Sequence, residues 1–171
     1  MLEKLLEGWR GVWLLPFIHV MREKRVFRVN ELSRVLGVRS VVVKSAVYAL
    51  RRLGVVEKRG EGVYAVSEEA LREYDSLFKW VVMEGRHYLA YTGSHYIYAR
   101  VKDSRVSAWV LPEYIVARVG EAARRHPGAR PSEIGRMLGL HGRTVSRALL
   151  VLRLSRNLQR VEDEGSLGNR A

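Results

Sequence analysis

Two sets of side chains in this sequence have the types and spacings that do chemistry. The first is a tyrosine- and histidine-rich run with Tyr88, Tyr91, Tyr96, Tyr98, His87, His95 and Arg100. Rings at alternating strand positions could stack unpaired bases. They could also present a tyrosine nucleophile of the kind that strand-transfer enzymes use. A half-buried small sheet would carry the same residues for packing alone, because alternating aromatics are ordinary in strands. The second set is arginine. Arg143 and Arg147 lie one helical turn apart and can point the same way. No paired-histidine metal motif and no paired carboxylates accompany the tyrosines. The lack of cysteine removes thiolate zinc, iron–sulfur clusters, disulfides and thiol catalysis. No catalytic set, metal or cofactor is expected.

Composition bounds the partners. Lys+Arg total 30 against Asp+Glu 18, a net charge of +12 on 171 residues, and apolar residues make up 47%. That apolar share suffices for a core, and the positive surplus favours polyanions, nucleic acid first and an acidic membrane second. No apolar run approaches the roughly 20 residues that span a bilayer. Glu3, Glu7 and Arg10 interrupt the N-terminal stretch, so it does not read as secretory. The expectation is a soluble, cytoplasmic protein. A single glutamine, three asparagines and an excess of arginine over lysine also fit adaptation to heat.

The charge is segregated. Residues 28–64 carry eight basic and three acidic side chains, residues 122–156 carry eight and one, and residues 65–111 carry six of each. The two basic stretches also resemble each other. Residues 31–56 and 133–158 superpose without a gap, with identities at Glu31/Glu133, Arg34/Arg136, Leu36/Leu138, Gly37/Gly139, Val43/Val145, Ala46/Ala148, Leu50/Leu152 and Arg51/Arg153. A copied supersecondary unit explains this. Each copy reads as two short helices about a glycine turn. Leu32, Val35 and Leu36 line the first helix, Ser40 caps the second, and Val43, Val47 and Leu50 form its buried stripe. In the second copy the corresponding stripes are Ile134, Met137 and Leu138, then Val145, Leu149 and Leu152, with Pro131 at the first helical position.

On these residues the chain resembles helix-turn-helix DNA-binding proteins, and residues 36–66 resemble the winged variant. The resemblance implies strands at Val55–Lys58 and Val63–Val66 joined by a wing tip, and a first helix near residues 12–25. The second copy is followed by one expected strand, Leu158–Val161, and an acidic tail. The implied fold is mainly α with small β (α+β): tandem winged-helix/helix-turn-helix domains joined by a short helix–sheet element. The domains would be residues 1–66, 67–111 and 112–171. The implied function is sequence-selective binding of double-stranded DNA by a transcriptional regulator of an archaeon or bacterium, associated with the nucleoid. Its two recognition helices, about residues 40–53 and 142–154, could read major-groove faces about 34 Å apart. Groove-facing positions are those off the buried stripes: Arg39, Ser40, Val41, Lys44, Ser45, Tyr48 and Arg52 in copy one, and His141, Arg143, Thr144, Ser146, Arg147 and Arg153 in copy two. Arginine can take two guanine acceptors at once, Val41 or Thr144 could meet a thymine methyl, and Ser40 and Ser146 suit phosphate. Lys58 and Arg59 of the wing would reach the minor groove or backbone.

Between the copies, residues 67–86 read as a helix capped by Ser67, and residues 87–112 as two or three antiparallel strands turning near Gly93 and Asp103–Ser104. At the N-terminus Leu2, Leu5, Leu6, Trp9, Val12 and Trp13 recur at helical spacing. Such a helix either caps the core or joins a second subunit, and a homodimer through it is the favoured expectation. Two rival functions remain open: a recombinase- or nicking-type enzyme using a central tyrosine, and a scaffold or partition adaptor. The second copy faintly resembles helix-turn-helix segments of plasmid-partition proteins.

Overall fold

Residues 1–168 are described by the computed structural model, and residues 169–171 at the end of the acidic tail lie outside the described residues. The chain divides into two compact units. Unit 1 comprises Met1–Gly93 and Ile97–Val110, and unit 2 comprises Ser94–Tyr96 and the chain from Leu111 onward. Most of the segment 67–111 thus belongs to unit 1.

The fold is mixed α+β rather than mainly α with small β. Helix accounts for 54% and strand for 23%, in two antiparallel sheets of three and four strands. The tandem winged-helix arrangement fails at the second copy. Where a strand was expected over Leu158–Val161, helix α8 continues unbroken from Gly142 to Gly168. A strand there would need a partner edge for its backbone groups, whereas helical bonds close within the segment itself.

In unit 1 the N-terminal apolar stretch is not one helix. A short α1 (Glu3–Leu6) gives way to 3₁₀ turns at Glu7–Trp9 and Val12–Leu14, with Gly8 and Trp9 both left-handed (φ 61° and 60°). The bends fold the apolar residues back, so that Leu2, Leu5 and Val12 are buried in the core that contains Phe17, Leu32 and Leu50. Leu2 N–H also donates to Glu73 Oε2 at 2.7 Å. The face expected to join a second subunit closes over the chain's own core instead.

Helix α2 (Leu15–Met21), with Pro16 in its first turn, is shorter than the 12–25 expected, and the next residues form β1 (Val26–Arg28). Helices α3 (Val29–Leu36) and α4 (Ser40–Arg52) follow, then β2 (Val56–Gly60) and β3 (Val63–Val66), which pair with β1 in the order β1-β3-β2. Ser67 caps α5 (Glu68–Leu77), its hydroxyl oxygen accepting from Ala70 N–H at 3.3 Å. The helix expected to reach residue 86 stops at Leu77. Trp80–Glu84 forms β4 because β5 (His87–Tyr91) offers its edge across the Gly85–Arg86 turn, and β-branched Val81 and Val82 suit that pairing. Strands β6 (His95–Val101) and β7 (Val106–Pro112) complete the order β4-β5-β6-β7; residues 87–112 thus hold three strands, within the two or three expected, and β4 is added from the segment expected to be helical.

A partly buried hydrogen-bond chain joins the helices of this unit to its larger sheet. His19 Nδ1 lies 3.0 Å from the Tyr74 hydroxyl, which lies 2.9 Å from that of Tyr88. Burial, helped by the charge of Arg22, holds the His19 pKa below its ordinary value, so the folded state carries a neutral imidazole. The sign follows. Below about pH 6.5 the unfolded chain takes up a proton that the folded chain refuses. The contribution of His19 is therefore full above that pH and is lost as pH falls through the lowered folded value. Urea-unfolding midpoints measured from pH 7.5 to 5 should fall more steeply for the wild type than for His19→Gln. Parallel profiles would show that His19 titrates alike in the folded and unfolded chains.

Unit 2 contains α6 (Glu113–Arg125), α7 (Pro131–Leu138) and α8. The stripe that α8 buries differs from the expected Val145, Leu149 and Leu152: it is Val145, Ala148, Val151 and Leu154. Residues three apart drift around a helix, and α8 needs that drift because α6 and α7 both pack on it. Leu149 and Leu152 are left half-buried toward α6.

Candidate functional site

The two copies recur at the level of the backbone. Helices α3 and α7 have the same length and start 102 residues apart, as do the starts of α4 and α8. Both first helices begin with an arginine whose N–H donates to a glutamate three residues on, Arg28 to Glu31 (3.3 Å) and Arg130 to Glu133 (3.2 Å). Both end on a left-handed glycine, Gly37 (φ 68°, ψ 35°) and Gly139 (φ 68°, ψ 31°). A side chain at either glycine would force a Cβ into that region.

One position separates the copies. Ser33 donates to Val38 O at 2.5 Å, whereas at the matching Gly135 a Cβ would stand 2.5 Å from Leu140 O. The α7–α8 turn is tight enough to require glycine there. Gly135→Ala should cost about 1–3 kcal/mol by overpacking. Gly142→Ala, whose Cβ would meet Ser132 at an ordinary 3.6 Å, should be neutral or slightly stabilising. Thermal unfolding of the two variants checks this, and equal losses would mean the turn yields.

In copy one, α4 buries Val42, Val43, Ala46, Val47 and Leu50 and exposes Val41, Lys44, Ser45, Tyr48 and Arg52 along the other side. Five of the residues expected at a groove thus share one open face. Val35, expected in the core, is 62% exposed, as Met137 is at 52% in copy two. Ser40 does not cap α4. It is the first helical residue, and Arg39 holds the cap position. Arg39 is also engaged: its Nε donates to Asp103 Oδ2 at 2.8 Å and its N–H to Asp103 O at 2.9 Å. The β6–β7 turn thereby fixes the start of α4. The Ser45 hydroxyl donates to Val41 O on its own helix at 3.1 Å.

The C-terminal half of α4 and strand β2 enclose an open groove of about 630 Å³ lined by Tyr48, Arg51, Arg52, Glu57 and Lys58. The Arg52 guanidinium sits 5.9 Å from the Tyr48 ring centre, and Arg51 sits 5.9 Å from that of Tyr64. Both contacts hold cations by the negative ring face while leaving charge exposed. Lys58 and Arg59 are exposed on β2, and Arg59 pairs with Glu57 at 2.7 Å.

In copy two, His141 caps α8, its Nδ1 accepting from Arg143 N–H at 3.2 Å. Arg143 and Ser146 are exposed, and Thr144 and Arg147 are half-buried. Burial first, then the charge of Arg143, pulls the Arg147 pKa below its usual value. Arg143 and Arg147 lie one helical turn apart on α8. Arg153 does not join them. It lines a separate hollow with Arg124 and Arg156, residues that sequence reasoning did not single out although both fall inside the strongly basic stretch 122–156.

The central tyrosines divide two and two, with Tyr91 and Tyr96 half-buried. Tyr88 and Tyr98 are buried, with the Tyr98 hydroxyl 2.8 Å from His87 Nδ1 and its ring stacked on Trp109 at 5.5 Å. Burial raises the pKa values of Tyr74 and Tyr88 well above the ordinary phenol range, which keeps both neutral. Tyr91 donates to Gly93 O at 3.0 Å. No helix among the described residues is long and apolar enough to cross a membrane. Comparison with protein-family models, curated proteins and solved structures finds no match.

Proposed function

We propose that this chain binds double-stranded DNA with sequence selectivity and serves as a transcriptional regulator at the nucleoid. The single observation that carries the reading is the repeated helix pair, whose second helix in each copy turns basic side chains away from its buried stripe. A helix of this kind fits the major groove, where base edges carry a distinct donor and acceptor code. Lys44, Tyr48 and Arg52 on α4 and Arg143 and Arg147 on α8 are the residues assigned to this contact, with Lys58 and Arg59 reaching phosphate. Arg39 and Ser45 are given lesser roles, since each is already bonded within the protein.

A strand-transfer reading would have to rest on the half-buried Tyr91 and Tyr96, because burial keeps Tyr88 and Tyr98 from acting as nucleophiles. The test is selection of duplexes from a random pool, followed by footprinting of the winners. A short protected site, bound well above scrambled duplex, supports the reading. Equal affinity for every duplex, or no protection, overturns it.

A further inference from the structure

Helix α8 carries its second arginine group well away from the first. Arg143 and Arg153 are ten positions apart, about 15 Å along the axis at 1.5 Å per residue. The major groove is only about 8.5 Å deep, so a helix entering by its N-terminal turn leaves Arg153 outside. Arg153 and Arg156 of α8 instead stand with Arg124 of α6 round a hollow of about 250 Å³. Its floor is apolar: Gly120, Ala123, Leu149 and Leu152. A Cβ at Gly120 would come within 3.2 Å of Leu152 Cδ1, so the glycine lets that leucine lie against α6.

Three cations about one hollow repel each other, and the described carboxylates do not answer them. Glu121, on the same helix, pairs with Arg125 at 2.7 Å. Among the described residues no ion pair joins Arg124, Arg153 or Arg156 to an acidic side chain. An oxyanion supplies the missing charge, and guanidiniums bind carboxylate or phosphate with two hydrogen bonds at once. A bare inorganic ion would leave the leucine floor wet. An anion carrying an apolar body would cover it and gain the burial. The volume lies just below the usual range of about 300–1,000 Å³ for ligand sites, which limits the body to a single ring or a short chain.

We propose that this hollow is a binding site for a small organic oxyanion, a carboxylate or phosphate on an aromatic or short aliphatic body. The proposal goes beyond the nucleic-acid reading and does not rest on it. The ligand's charged group is taken by Arg124, Arg153 and Arg156, and its body lies on Leu149 and Leu152.

The experiment is calorimetric titration of the full chain at constant ionic strength with phenyl phosphate and phenylacetate, using inorganic phosphate and phenol as controls. At least one aromatic anion should bind saturably and at least tenfold more tightly than either control. Arg153→Gln with Arg156→Gln should lose at least tenfold. Ala123→Leu, which fills the floor and leaves the charge unchanged, should lose as much, and it covers the case in which the arginine variant does not fold. Arg143→Ala with Arg147→Ala should bind the probe like the wild type. The proposal falls if neither aromatic anion binds, if inorganic phosphate binds equally well, or if the Arg143 and Arg147 variant loses the probe too. It also falls if the Arg153 and Arg156 variant loses duplex affinity as steeply as that one, which would assign the hollow to the nucleic-acid face.

Discussion

Replacing Arg143 and Arg147 together with alanine should weaken binding to a selected duplex about 30-fold or more, at about 1–3 kcal/mol for each arginine that takes a base edge. The comparison variant, Arg72→Ala with Lys79→Ala, removes the same charge from exposed positions on and just beyond α5. It should cost far less. The salt response belongs to the same prediction. If roughly six to ten phosphates are neutralised, wild-type affinity should fall about 10³–10⁵-fold between 50 and 200 mM salt. Any part of the Arg143 and Arg147 loss due to phosphate contact would lower the slope by about one for each arginine. Fluorescence anisotropy across a salt series reads both quantities. Equal losses in the two variants would show that net charge alone, and not the face of α8, governs binding. A nearly flat salt response would remove the nucleic-acid reading altogether.

Removing residues 1–10 should unfold unit 1 rather than merely change its association. Leu2 and Leu5 are 0% and 2% exposed and belong to the same core as Leu15, Phe17, Leu32 and Leu50. Truncating a buried leucine to alanine costs about 2–5 kcal/mol, and whole domains are stable by only about 5–15 kcal/mol. The deletion also removes the Leu2 N–H that holds the Glu73 carboxyl below the usual carboxylate range. Circular dichroism melts should show a large loss of thermal stability in the deletion and in Leu5→Ala relative to the wild type. If the deletion leaves the melt intact and alters only the mass measured by light scattering, the stretch is a dimer contact after all.

Much of the local structure was legible because it depends on neighbours in the chain. The repeat, its two glycine turns, the Ser67 cap and the turns near Gly93 and Asp103 follow from residue types at fixed short spacings. The chemistry of a left-handed glycine or a capping hydroxyl is local, so the order of residues is enough. The face of α4 was legible for the same reason, since one buried stripe at helical spacing defines its opposite. The N-terminal apolar residues show the limit. Their spacing is helical, but two left-handed residues at Gly8 and Trp9 break it and turn the apolar surface inward.

The amino-acid order by itself determined the paired helices, the segregation of positive charge and the absence of thiol chemistry. Tertiary structure alone decided which partners covered each face. It turned residues 80–84 into a strand because β5 offered an edge, rotated the buried stripe of α8 under α6 and α7, and gave Arg39 to Asp103. It also brought Arg124 of α6 to the hollow that Arg153 and Arg156 line. The physical reason is common to all of these. Periodicity says which residues share a side of an element, but burial and ion pairing depend on what other parts of the chain bring against that side.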